Sequence, residues 1–190
     1  MHDTARQTGQ AFFKIYGRET GTVLDIGSMD INGTLKDFVP SGMNYCGADL
    51  FDGKNVNIVL SNPYNFPFAE GDCDLIVSTS CFEHDQFFWL TFIEMSRVVR
   101  RGGFIYISAP VGGPVHRHPI DAWRFYPDAG RALESWARFN GHEIDLIESF
   151  LRPPGPEGWQ DFVAVFGKQP FSERTAFVAD CFPDTMHRLP

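Results

Sequence analysis

Cysteine is scarce. Cys46, Cys73, Cys81 and Cys181 are the only four in 190 residues, and no two share a C-x-x-C spacing. Neither a disulfide framework nor a zinc site is indicated, and reduced thiols fit a cytoplasmic protein. Long apolar runs are missing too. No stretch approaches the roughly 18 apolar residues of a membrane span, and the segment Met1–Arg6 lacks the apolar core of a secretory signal. Basic charge is in deficit, with 16 Lys and Arg against 24 Asp and Glu and a net charge of −8. Nucleic-acid affinity rests on basic groups that displace counterions, so no nucleic-acid partner is expected. What is present is globular in kind: 43% hydrophobic and 21% charged residues exclude a disordered or collagen-like chain. Aromatics are plentiful, with 19 Phe, 5 Tyr and 4 Trp, enough to fill a core and line a pocket. The length predicts one domain over 1–190, with a core at about 20–168 and a C-terminal extension at 169–190.

Residues 4–16 are expected to form an opening helix. Thr22-Val23-Leu24-Asp25-Ile26, closed by Gly27, has the pattern of a buried strand. A helix is expected over 32–39 with Asn32 as its N-cap, and strands over 44–49, 56–60 and 75–78. Phe88, Phe92, Met95 and Val99 recur at spacings of four, three and four, which predicts a helix over 85–100 stopped by Gly102-Gly103. Arg97, Arg100 and Arg101 suit its negative end. A strand over 104–108, a helix from Pro127 to before Gly141, and strands over 144–150 and 162–166 complete the pattern. The link 152–158 between the last two is rich in Pro and Gly. Short buried strands alternating with helices predict an α/β sandwich with a largely parallel sheet, its final pair an antiparallel hairpin at one edge.

In such sheets ligands bind at the carboxyl ends of the strands. The first strand runs out through Asp25-Ile26-Gly27-Ser28-Met29-Asp30, and the second ends in Asp49, where a carboxylate can accept both hydroxyls of a ribose. A nucleoside ligand is the first inference, and charge then selects among nucleosides. A dinucleotide would set its pyrophosphate on the first loop, but G-x-G-x-x-G is absent there and Asp25 and Asp30 are present. A carboxylate about 5 Å from a phosphate costs roughly 3 kcal/mol per unit charge at an effective dielectric near 20. S-adenosylmethionine reverses that sign, because it carries an ammonium and a sulfonium together with a ribose. The competing explanation is that the two aspartates merely cap a turn and a helix.

Val23-Leu24-Asp25-Ile26-Gly27-Ser28 followed by Asn32-Gly33 resembles motif I of the class I S-adenosylmethionine-dependent methyltransferases. The likeness continues through Tyr45–Asp49, Phe66-Pro67-Phe68, Cys73–Ser78, Phe82-Glu83-His84 and Arg97–Gly103, all in the family's order across residues 22–110. The resemblance implies a Rossmann-like three-layer sandwich on a seven-stranded sheet with a reversed last strand, and a branch that methylates small molecules and sugars. It places Asp25 and Gly27 beside the methionine portion of the cofactor and Asp49 at the ribose, with Ser28 and Leu50 also at the cofactor. Ser28 and Met29 stand where a second glycine is common. Asn62 stands where an Asp often meets the adenine amino group, and its carbonyl can accept the same hydrogen bond. Asn62-Pro63-Tyr64 also looks like the N-P-P-Y motif of base methylation, but it lacks one Pro and precedes the wrong strand.

Methyl transfer from a sulfonium is an in-line displacement that needs mainly alignment, and a hydroxyl acceptor gains from a nearby base such as His. Two segments supply candidates. Glu83-His84 follows the fourth strand, where His84 either serves the reaction or caps the next helix. The loop Pro114–Phe125 follows the fifth and carries His116, His118, Asp121 and Arg124 between Pro and Gly residues. It is similar to an H-x-x-P-x-D-x-W-R-F element of related chains, with His116 as its His; an Asp121–Arg124 pair that only pins the loop is the bland alternative. A metal triad of His116, His118 and Asp121 is set aside because Pro119 breaks any helix that could align them, so no metal is expected. The sequence thus predicts methyl transfer from S-adenosylmethionine to a small, hydroxylated or sugar-like acceptor. Asp25, Gly27, Ser28, Asp49, Leu50 and Asn62 would bind the cofactor, and His116, Asp121 and His84 would serve catalysis. A non-catalytic cofactor-binding or partner-binding module is the main rival, and a nicotinamide-dependent oxidoreductase a weaker one.

Overall fold

The computed structural model describes residues 2–156 and 158–189. Met1, Glu157 and Pro190, and with them the ends of the expected 1–190 span and one position of the 152–158 link, lie outside the described residues. Helix α1 (Asp3–Tyr16) leads into β1 (Gly21–Ile26), a 3-10 turn (Leu35–Phe38), β2 (Met43–Asp49), β3 (Ile58–Val59) and β4 (Cys73–Thr79). Then come α2 (Phe88–Val98), β5 (Val99–Gly112), α3 (Asp128–Phe139), β6 (Ile144–Leu151), β7 (Gln160–Lys168), a second 3-10 turn (Val178–Cys181) and β8 (Met186–Leu189).

The strands form one sheet in the order β3-β2-β1-β4-β5-β7-β6-β8. The first five are parallel, whereas β7 runs antiparallel to both β5 and β6. The sandwich expected from sequence is therefore present, with its reversed strand wedged between β5 and β6. An eighth strand adds to the expected seven: β8 comes from the C-terminal extension and pairs antiparallel with β6, so the β6–β7 hairpin is not the edge itself.

Alternation along the strands supplies both faces. Leu24, Ile76 and Ile105 turn toward Phe92 and Met95 of α2 and Leu133 and Ala137 of α3. Val23, Leu75, Val77 and Tyr106 turn toward Phe12 and Tyr16 of α1. A sheet covered on both faces reads as nearly continuous hydrophobic runs, as these strands do.

Three local expectations change. The helix expected over 32–39 is only the 3-10 turn Leu35–Phe38, capped by Thr34 rather than Asn32 through a Lys36 N–H···Oγ1 bond of 3.1 Å. Asp30 is the reason: its Oδ1 accepts the Gly33 N–H at 2.7 Å and holds the segment in a turn. Helix α2 starts at Phe88, because Asp85 Oδ1 accepts the Phe87 N–H and keeps 85–87 out of the helix. Its carboxyl end is closed by Lys168 of β7, whose Nζ donates to the carbonyls of Ser96, Arg97 and Val99 at 2.8, 3.2 and 3.0 Å. The three arginines instead pair with Glu94, Asp74 and Glu143. The described residues of the extension cover the sheet edge, and buried Glu148 anchors it by accepting the Val178 and Ala179 N–H groups.

Candidate active site

Strand order reverses between β1 and β4, and at their carboxyl ends a cavity of about 680 Å³ opens. This is where ligands bind in open α/β sheets. Gly27 turns the chain out of β1 at φ +77°, and a Cβ there would stand 2.6 Å from that of Cys81, so both backbone and space require glycine. Ser80 leaves β4 at φ +51°, an uncommon conformation for a residue with a side chain and one that concentrates at functional sites.

One wall carries the residues expected to meet the cofactor. Asp25, Gly27, Ser28, Asp49 and Leu50 all line the cavity. Asp25 is 5% exposed and accepts the Tyr45 hydroxyl at 2.8 Å. Burial pushes its carboxyl up to about 7; the Tyr45 bond opposes the rise and the nearby Asp49 adds to it. Asp49 accepts the Met29 N–H on Oδ2 at 3.0 Å and the Leu50 N–H on Oδ1 at 2.7 Å, which fixes its carboxylate at the rim. Two sequence expectations fare differently. Asp30 turns away from the cavity, where its hydrogen bond to Lys54, 2.6 Å away, and the Gly33 N–H hold its carboxyl below the usual range. Its charge is therefore neutralised locally, and the acidic character of the loop falls to Asp25. Asn62 is outside the lining as well: its Oδ1 accepts the Tyr64 N–H at 2.9 Å and shapes the turn that brings Pro63 and Tyr64 to the cavity.

The other wall is imidazole-rich. His84, His116 and His118 all line the cavity, their rings 4.8 to 6.2 Å apart. Behind them lies Glu83, 1% exposed, with Oε1 3.5 Å from His84 Nε2 and 3.8 Å from His116 Nε2. Its Oε2 has no hydrogen-bond partner among the described residues, and burial pushes the carboxyl up to about 8. Asp121 does not reach the cavity lining. It accepts the His116 N–H at 2.8 Å, stands 3.4 Å from His116 Nδ1, and grips Arg124 through both oxygens. The Arg124 guanidinium holds the Asp121 carboxyl well below the usual carboxylate range. Asp121 thus pins the loop, as the bland alternative had it, and in doing so orients His116. Burial pushes His84 below the ordinary imidazole range.

Residues 17–107 match a family described as a methyltransferase domain. The chain is 29% identical over 133 residues to an uncharacterized methyltransferase of Mycolicibacterium gilvum, covering 64% of this chain and 51% of that protein. It is 26% identical over 154 residues to one of Mycobacterium tuberculosis, covering 74% and 60%. The chain spans about half the length of the curated relatives it matches. Among solved structures it is similar to the 1,6-didemethyltoxoflavin-N1-methyltransferase of Burkholderia thailandensis, with a TM-score of 0.64, 16% identity, and 88% and 78% of the two chains covered. It is also similar to a phosphoethanolamine N-methyltransferase of Haemonchus contortus, with a TM-score of 0.55, 13% identity, and 86% and 52% covered. Residues 17–107 thus resemble a methyltransferase domain, and the chain shares its fold with methyltransferases of known structure.

Sequence reasoning about the cavity missed several side chains. Tyr64 donates its hydroxyl to Asp85 Oδ1 at 2.9 Å, joining two cavity-lining residues 21 positions apart. Trp159 packs edge-on against His116 at 4.7 Å between centroids and stacks on His2 at 4.5 Å. Trp159 lies just past the Pro/Gly-rich link, where nothing signals such a role. The position of Glu83, directly before His84, was the one visible signal for the buried carboxylate.

Proposed function

We propose that this domain transfers the methyl group of S-adenosylmethionine to a small acceptor bearing a hydroxyl, such as a sugar-like molecule, in the cytoplasm. The observation that carries the reading is the cavity. Asp25, Gly27, Ser28 and Asp49 line it together with His84 and His116. The ribose hydroxyls would bond to Asp49, and the methionine ammonium would approach Asp25. Leu50 would flank the adenosine, with Asn62 contributing through the turn it holds rather than by contact. The acceptor would then face His84 and His116, and Asp121 acts as a positioning residue behind His116. In the transfer, the acceptor oxygen forms a bond to the methyl carbon as the sulfur–carbon bond breaks. The sulfur keeps the bonding pair as a neutral thioether, and the hydroxyl proton leaves through the imidazole wall to water. A cavity of about 680 Å³ lies within the range of small-molecule sites, and a net charge of −8 disfavours nucleic acid as the acceptor.

The test uses radiolabelled S-adenosylmethionine with fractionated small-molecule extracts. Label in a small-molecule fraction and release of S-adenosylhomocysteine support the reading. Tight cofactor binding with no turnover in any fraction would favour a non-catalytic module instead.

A further inference from the structure

We infer that Glu83, His84 and His116 form a binding site for one divalent transition-metal ion, open toward the acceptor end of the cavity. The inference rests on the proposed reading for its location only, since the three donors exist whether or not the cavity is catalytic. One donor atom from each of the three residues lies within 4.8 Å of the others. The Oε1–Nε2 separations of 3.5 and 3.8 Å are close to the roughly 3.4 Å edge of a tetrahedron whose centre lies about 2.1 Å from each donor.

Hydrogen-bond chemistry decides what can sit there. His84 Nδ1 is at hydrogen-bond distance from the Ile120 carbonyl oxygen, which can only accept. The proton of His84 is therefore on Nδ1, and Nε2 presents a lone pair to Glu83. His116 Nδ1 lies 3.4 Å from Asp121 Oδ2 with no hydrogen-bond partner among the described residues, and its Nε2 lies 3.8 Å from Glu83 Oε1. The Nε2 lone pair of His84, Nε2 of His116 and an oxygen of Glu83 thus converge on one point. A proton on Glu83 satisfies only one of the two imidazoles, whereas a cation satisfies all three groups. Ligating histidines are usually held in this way, with the second ring nitrogen on a carbonyl or a carboxylate. The unpartnered Oε2 of Glu83, at 1% exposure, offers a further oxygen to the same ion. Two histidines and one carboxylate suit zinc, iron, cobalt or nickel rather than calcium or magnesium. The trio differs from the His116–His118–Asp121 set considered from sequence, because Asp121 is committed to Arg124. Because both rings line the cavity and Glu83 closes it from behind, the remaining coordination positions face the acceptor. An acceptor with one or two hydroxyl oxygens is the class such an ion would orient and acidify.

The experiment uses the full chain, stripped with a chelator and titrated with Co²⁺, whose visible absorption reports imidazole and carboxylate ligation; Zn²⁺ competition gives the affinity. One Co²⁺ per chain is expected. Affinity should fall about 100-fold or more in His116→Ala and Glu83→Gln, and roughly 10–100-fold in Asp121→Asn, which removes only the orienting carboxylate. S-adenosylhomocysteine binding, measured on the same samples, should persist and so separates metal loss from misfolding. Asp49→Ala should show the opposite pattern, keeping the metal and losing the cofactor. If Glu83→Gln fails to fold, paramagnetic shifts of the His84 and His116 ring protons in the wild-type protein with Co²⁺ decide the matter. A wild-type protein that binds neither ion stoichiometrically, or variants that bind as well as wild type, would overturn the site. Failure to bind S-adenosylhomocysteine would instead undercut the cofactor reading and leave the metal result standing.

Discussion

Asp25 offers the sharpest test of the cofactor wall, because one group links stability, binding and pH. Its carboxyl is raised from 3.8 to about 7, chiefly by burial. A shift of about 3 units makes the ionised form cost about 4 kcal/mol in the folded protein relative to the unfolded chain. The sign follows from proton linkage: a group whose folded value is raised contributes its full stability below 3.8 and loses it as pH rises through about 7. Asp25→Asn keeps an oxygen to accept the Tyr45 hydroxyl but cannot ionise. It should therefore gain stability over wild type steadily from pH 4 to 7, by up to about 4 kcal/mol at pH 8. Cofactor binding should show the reverse. An ammonium beside Asp25 favours the carboxylate, so wild-type protein should release a proton on binding S-adenosylhomocysteine below about pH 7, and progressively less above it. Calorimetric titration in two buffers of different ionisation enthalpy counts those protons directly, and affinity should rise with pH up to about 7 and then level. Asp25→Asn should bind weakly and release none. Buffer-independent heats at pH 6 to 7, or equal proton release by the Asn variant, would refute the assignment of Asp25 to the cationic end of the ligand.

Other outcomes follow from the same geometry. Asp49→Ala removes the acceptor for the ribose hydroxyls and should weaken S-adenosylhomocysteine by roughly 100-fold in calorimetry, since hydrogen bonds to a charged group contribute about 1.5–3 kcal/mol each. Gly27→Val combines a left-handed φ with a close approach to Cys81; stability should drop by roughly 2 kcal/mol or more, with cofactor binding lost, as read by thermal shift with and without ligand. Lys168→Met leaves three carbonyls at the end of α2 without their donor. Urea unfolding should show a loss of about 1–3 kcal/mol, and hydrogen exchange should rise at 96–99.

Sequence by itself determined the layers and put Asp25, Gly27 and Asp49 at the strand ends that line one cavity. Buried strands announce themselves as short apolar runs, and Asp25, Gly27 and Asp49 stand at strand ends, where local pattern and ligand geometry coincide. The same locality explains the errors. Asn32–Val39 has the composition of a helix, yet the Asp30 side chain accepts the Gly33 N–H to make a turn and is itself held by Lys54, 24 positions away. Two decisions belonged to tertiary structure alone. The extension became a strand because Glu148 and β6 offered hydrogen bonds that its own sequence does not advertise. The imidazole wall arose because the loop after β5 folds back across the end of β4, bringing His116 to Glu83 and His84 from 32 positions away. Convergence of lone pairs depends on direction as well as proximity, and side-chain direction is set by packing after the chain has folded.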